Sequence, residues 1–107
     1  MYTSKEINMA YSELAQTQAY YREKAFDVSL FESNLNIKKS IAISEGHIAG
    51  SNADVRTGNA AKLFENERHV LDAMLAEQNE ARIAFELASI QVEKIKMLMR
   101  LMEVTKE

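Results

Sequence analysis

The sequence predicts an all-α fold, a long antiparallel helical hairpin that assembles into a four-helix bundle by dimerisation. Three observations carry that expectation. The 107 residues include no proline and only three glycines, so little in the chain interrupts a helix. In the second half Phe64, Leu71, Met74, Ala81, Phe85, Ala88, Val92, Ile95, Met99 and Met102 recur at three- and four-residue steps, interrupted only by Glu67 and Gln78. That spacing lines them along one seam of a single helix. Finally, Ile83, Leu87, Ile90, Met97 and Leu101 form a second apolar row on the far side of the same helix. One partner helix covers one row, so the other calls for a further neighbour, most simply a second copy of the chain.

The first arm reads as helical from its start. Thr3 or Ser4 caps it, and Glu6 follows Thr3 by three residues, as in a capping box. Ile7, Tyr11, Leu14, Gln18, Tyr21, Ala25 and Val28 make a stripe with helical steps. Continued unchanged, that stripe puts Glu32 and Lys39 in the seam. A new one, Leu30, Ile37, Ile41, Ser44 and Ile48, takes over instead. Ser33, Asn34 and Asn36 sit at the change and are weaker helix formers. The expectation is a kink or stutter at residues 33–36. An arm broken near Asn34 and folded back is the competing way to cover the second row.

The strongest punctuation is Gly46-His47-Ile48-Ala49-Gly50-Ser51-Asn52. Gly50 suits the left-handed position after a helix end, and Ser51 or Asn52 suits the next N-cap. Asp54 then lies in the first turn, where a carboxylate is favoured. Gly58 and Asn59 weaken the turns that follow, so a loop reaching residue 59 is the other reading. One helical-hairpin domain over 1–107 results, with arms at about 3–49 and 53–105 and a tip at about 46–59. At 1.5 Å per residue the arms are roughly 70 and 79 Å long, and a short connection makes them antiparallel.

Composition narrows the chemistry. A net charge of −3 gives no general electrostatic reason to bind nucleic acid or an anionic membrane. With no cysteine, disulfides, thiolate metal sites and a cysteine nucleophile are absent. No apolar run approaches the ~20 residues that cross a bilayer. The start, Met1-Tyr2-Thr3-Ser4-Lys5-Glu6, lacks the pattern of a signal peptide, and the expected location is the cytoplasm.

The candidate catalytic and ligand motifs are incomplete. Di-iron bundles place a glutamate three residues before a histidine, whereas Asn66 stands three before His69 and Glu65 four before it. Glu77, Glu80, Glu86 and Glu93 do not keep one helix face, as converging magnesium ligands would. The Gly46–Asn52 segment has two glycines near a helix start but lacks the lysine and strand of a P-loop. Tyr2, Tyr11, Tyr20 and Tyr21 lie near Arg22 and Lys24, a stacking arrangement that Glu13, Glu23 and Asp27 dilute. No serine has a histidine and carboxylate in a nucleophile motif. The expectation is no enzyme, no metal and no cofactor.

Ile48-Ala49-Gly50-Ser51-Asn52-Ala53-Asp54-Val55-Arg56, followed by a long Glu/Ala/Leu helix ending Met97-Leu98-Met99-Arg100-Leu101-Met102-Glu103, resembles small coiled-coil hairpin proteins encoded by phage and prophage genomes. In those proteins Gly, a polar residue, Asn, acidic residues and Arg commonly occur at the turn. The likeness covers most of residues 35–103 and is specific at the tip. It departs from the pattern at Thr57-Gly58-Asn59. It implies a phage or prophage origin and supplies no catalytic residue.

Together these readings predict a non-catalytic protein-interaction module. Ile83, Leu87, Ile90, Met97 and Leu101 are its expected self-association surface, with a dimer favoured. Asn52, Asp54 and Arg56 are the expected contact tip for a host or phage protein. The alternative is an accessory factor of phage DNA replication or recombination that contacts nucleic acid directly.

Overall fold

A computed structural model describes residues 2–46 and 52–106, with side chains described as far as residue 103. Among them the chain is entirely helical, in three elements: α1 (Ser4–Ser44), α2 (Ala53–Leu63) and α3 (Glu65–Lys106). Contacts gather in two compact units, residues 1–24 with 78–107, and residues 25–77.

The predicted capping box forms at the start of α1. The Thr3 amide donates to Glu6 Oε2 at 3.3 Å, and the Glu6 amide donates to Thr3 Oγ1 at 3.1 Å. Two donors that a helix start would leave open are thereby satisfied. At the other end α1 stops at Ser44, short of residue 49. Gly46 there takes the left-handed conformation, φ 74°, and its amide donates to the Ile43 carbonyl at 3.2 Å. Gly50, to which the sequence reading assigns that role, lies outside the described residues, as do His47, Ile48 and Ser51.

In the first unit Ala10, Val92 and Ile95 form a buried cluster, with Tyr2, Ile7 and Leu14 packed against it. Tyr21 stacks on Phe85, ring centroids 6.0 Å apart and planes 22° from parallel. Rising residue numbers on α1 thus meet falling numbers on α3, an antiparallel pair. In the second unit Val28, Leu35 and Ala42 of α1 bury against Phe64 and Leu71, with Phe31, Ala60 and Met74 around them.

The seam of α3 follows the predicted stripe. Phe64, Leu71, Ala81, Ala88, Val92 and Ile95 are buried, and even the interrupting Glu67 and Gln78 are half-buried. Met99 departs from it and is 42 % exposed.

The seam of α1 differs from the expectation in two respects. The helix does not break at 33–36, because α1 runs unbroken from Ser4 to Ser44, and the stripe does not change there either, since Val28, Leu35 and Ala42 stay buried along one line. Its inward line runs Ile7, Ala10, Leu14, Thr17, Tyr21, Lys24, Val28, Phe31, Leu35, Lys39 and Ala42 in one continuous register, and Gln18 and Ala25 of the predicted stripe, with Asp27, are half-buried beside it. Leu30, Ile37 and Ile41, assigned above to a replacement core stripe, face solvent, as does Ser44. Tyr11 is also largely exposed, and its expected place belongs to Ala10. The physical reason is that a seam can be built from small residues and from lysines, whose methylene stems lie along apolar surface while the ammonium reaches water.

The second arm is divided. Asn52 caps α2, its Oδ1 accepting from the Val55 amide at 2.9 Å. Thr57, Gly58 and Asn59 are helical, so no loop runs to residue 59. At Phe64 the backbone leaves helical geometry, with φ −108° and ψ 26°. The hydrogen-bond ladder nevertheless passes through it, from the Phe64 amide to the Ala60 carbonyl and from the Arg68 amide to the Phe64 carbonyl. The interruption falls on the buried residue, and no side chain of α2 itself is buried.

Candidate interaction surfaces

The outer row of α3 is open to solvent along its length. Ile83 is 44 % exposed, Leu87 61 %, Ile90 63 %, Met97 61 % and Leu101 57 %. Val92 and Ile95, on the reverse face, are almost wholly buried. Ile90, Met97, Leu98 and Leu101 line a shallow groove along α3, which Ser89, Glu93 and Lys94 border as well. Contiguous apolar surface of this kind marks contact sites on soluble chains.

Charges border the row. Arg82 Nη1 lies 2.7 Å from Glu86 Oε1, and Lys96 Nζ lies 3.2 Å from Glu93 Oε1. Arg82 also donates to Asn79 Oδ1 at 2.6 Å. These are neighbours on one exposed helix face, each contributing a few tenths of a kcal/mol at most (~0.2–0.5). Lys94 interrupts the row itself, between Ile90 and Met97.

The tip residues Asn52, Asp54 and Arg56 are all exposed. Asn52 already spends its side-chain oxygen on the α2 cap, which leaves Asp54 and Arg56 as the freer groups there. Comparisons with family models, curated proteins and solved structures found no match. The chain's own geometry therefore carries the functional argument.

A third surface is built largely from residues that the sequence pattern assigns to the core. Phe26, Leu30, Ile37 and Ile41 form an exposed row on α1 within the second unit, at 66, 50, 56 and 49 % exposure. The signal for it was present in the sequence, because these residues lie at helical steps on the face of α1 opposite the Val28–Leu35–Ala42 line.

The remaining candidates stay scattered. His69 Nε2 lies 3.8 Å from Glu65 Oε1, one helical turn away and well exposed. Among the described residues no three histidine, aspartate or glutamate side chains come together as a metal site would need. Glu86 and Glu93 are engaged with Arg82 and Lys96, on exposed helix surface. Tyr21 is committed to Phe85, whereas Tyr11 and Tyr20 are exposed and Lys24 Nζ sits 5.2 Å over the Tyr20 ring. A cleft in the first unit is bordered by Tyr2, Met9, Glu13 and Gln91, beside the capping Glu6. Ser12 also borders it, its Oγ accepting from Gln16 Nε2 at 3.5 Å. Among the described residues no helix is long and apolar enough to cross a membrane.

Proposed function

We propose that this chain is a non-catalytic helical interaction module of phage or prophage origin, acting in the cytoplasm by binding a host or phage protein. Its arms form an antiparallel hairpin, and two hairpins assemble as a four-helix bundle through the outer row of α3. The observation that carries this reading is that row: five large apolar side chains, Ile83, Leu87, Ile90, Met97 and Leu101, each 44–63 % exposed opposite a filled seam. The antiparallel order of contacts in the first unit supports the hairpin. Asp54 and Arg56, with Asn52 behind them, are the groups we assign to contact with the other protein.

Light scattering on a sizing column over a tenfold concentration range tests the assembly. The wild-type chain should run as a dimer, and Leu87→Glu with Ile90→Glu should run as a monomer with unchanged helicity. A dimer mass that survives the double substitution removes this surface from the proposal.

Exposed Tyr11 and Tyr20, with Lys24 above the latter ring, favour a second reading as a nucleic-acid-binding accessory factor. That reading requires salt-sensitive binding to DNA, because phosphate contacts release counterions, and absence of binding at ~50 mM salt eliminates it.

A further inference from the structure

The charges beside the outer row decide how a second copy would lie on it. We infer that two α3 helices pair antiparallel, about a two-fold axis near Val92, with Glu86 of each copy beside Arg100 of the other. This rests on the self-association reading above and adds orientation and register to it.

The row repeats with alternating steps, Ile83, Leu87, Ile90, Lys94, Met97 and Leu101, so these are its seam positions. Glu86, Glu93 and Arg100 precede Leu87, Lys94 and Leu101 and flank the seam on one side. Ala84, Gln91 and Leu98 flank it on the other.

Antiparallel packing about residue 92 layers Ile83 against Leu101, Leu87 against Met97 and Ile90 against Lys94. Between the first two layers Glu86 meets Arg100, and symmetry makes that pair twice. Arg100 is exposed and, among the described residues, has no ion pair within its own chain, unlike Arg82 and Lys96. Ala84 meets Leu98 on the opposite flank, which extends the apolar contact. Glu93 meets its own copy near the axis, where Lys96 of each chain, 3.2 Å from it, offsets the like charge.

A parallel, in-register pair does worse on the same residues. Lys94 would face Lys94 inside the seam, Glu86 would face Gln91, and Glu93 would face Leu98. No opposite charges meet. Like charges brought together disfavour that arrangement, so the charge pattern selects the antiparallel one.

The area at stake is of the order that a dimer needs. The five side chains are 44–63 % exposed, and burying them completely in both copies would remove at most about 1,200 Å², the lower end of stable interfaces. Glu86, Leu98 and Arg100 add to it.

The absence of cysteine from the chain allows a direct test of orientation. Leu87→Cys and Met97→Cys are made separately in the full chain, at two positions each 61 % exposed, so the fold is not at risk. Under mild oxidation, an equimolar mixture should give a disulfide-linked dimer containing one of each variant, and neither variant should link to itself. In the antiparallel pair Leu87 and its own copy lie ten positions apart, about 15 Å along the helix. That is well beyond the ~7 Å between Cα atoms that a disulfide spans.

Self-linking by Leu87→Cys alone overturns the antiparallel orientation while leaving self-association through this row intact. No link in any sample, with the wild type dimeric by light scattering, overturns the assignment of the row. A wild-type chain that stays monomeric across the concentration range overturns both this inference and the assembly it rests on.

Discussion

Leucines 30 and 35 lie on the same helix of the same unit, and replacing each by alanine tests the register of α1. Leu35 is 5 % exposed, in a cluster with Val28, Ala42, Phe64 and Leu71. Leu30 is 50 % exposed and outside that cluster. Truncating a buried leucine removes its transfer energy and leaves a cavity, costing 2–5 kcal/mol in well-packed cores, and about 3 kcal/mol is expected for Leu35→Ala. Leu30→Ala deletes a side chain that already keeps half its surface in water and leaves no closed cavity. The same transfer bookkeeping, halved, gives about 1 kcal/mol, which the slightly better helix propensity of alanine reduces further. The difference of about 2 kcal/mol corresponds to roughly 8–12 °C in thermal midpoint for a chain of this size, measured by circular dichroism at 222 nm at equal, low protein concentration. Equal losses, or a larger one for Leu30→Ala, would refute the single continuous register. They would mean that the seam does change face at residues 33–36.

The two described glycines should respond with opposite signs to alanine. Gly46→Ala forces a side chain into a φ of 74° and should destabilise by about 1 kcal/mol, whereas Gly58→Ala, in open space within α2, should stabilise by about 0.5–1 kcal/mol. Both are read as shifts in urea midpoint at constant slope. Thr3→Ala removes one half of the capping box and should cost about 1 kcal/mol of local stability. Hydrogen exchange should then quicken at the amides of the first turn of α1, with the amides around Val92 unchanged.

The seam of α3 was legible because its positions are filled by residues that advertise themselves, such as Leu71, Val92 and Ile95. The caps at Thr3 and Asn52 were legible for a similar reason, since each depends on side chains within three residues of the helix start. The seam of α1 was not. Its inward positions include Ala10, Thr17, Lys24 and Lys39, while bulky Leu30, Ile37 and Ile41 stand outside. Two rows at helical spacing compete there, and only the opposing helices select between them. The interruption at Phe64 carries no glycine or proline to announce it. It coincides with the burial of the Phe64 ring, which only the opposing residues of the cluster reveal. The outer row of α3 was visible as a row from its spacing alone, and the structure adds the exposure of each member.

Helix α2 has an 11-residue length, a glycine at its centre and no buried side chain. A segment that short is marginal as a helix in water unless packing holds it, and here the cap at Asn52 and the contact of Ala60 with the neighbouring cluster are its main anchors. It is therefore the element expected to open first, well before α1 or α3 loses its seam. Coiled as a helix it spans about 16 Å, and drawn out it reaches ~36 Å. Opening α2 would release about 20 Å of slack between Asn52 and Phe64, turning a rigid strut into a tether without disturbing a single residue of the buried clusters that end at Leu71 and Ile95 other than Ala60 at their margin.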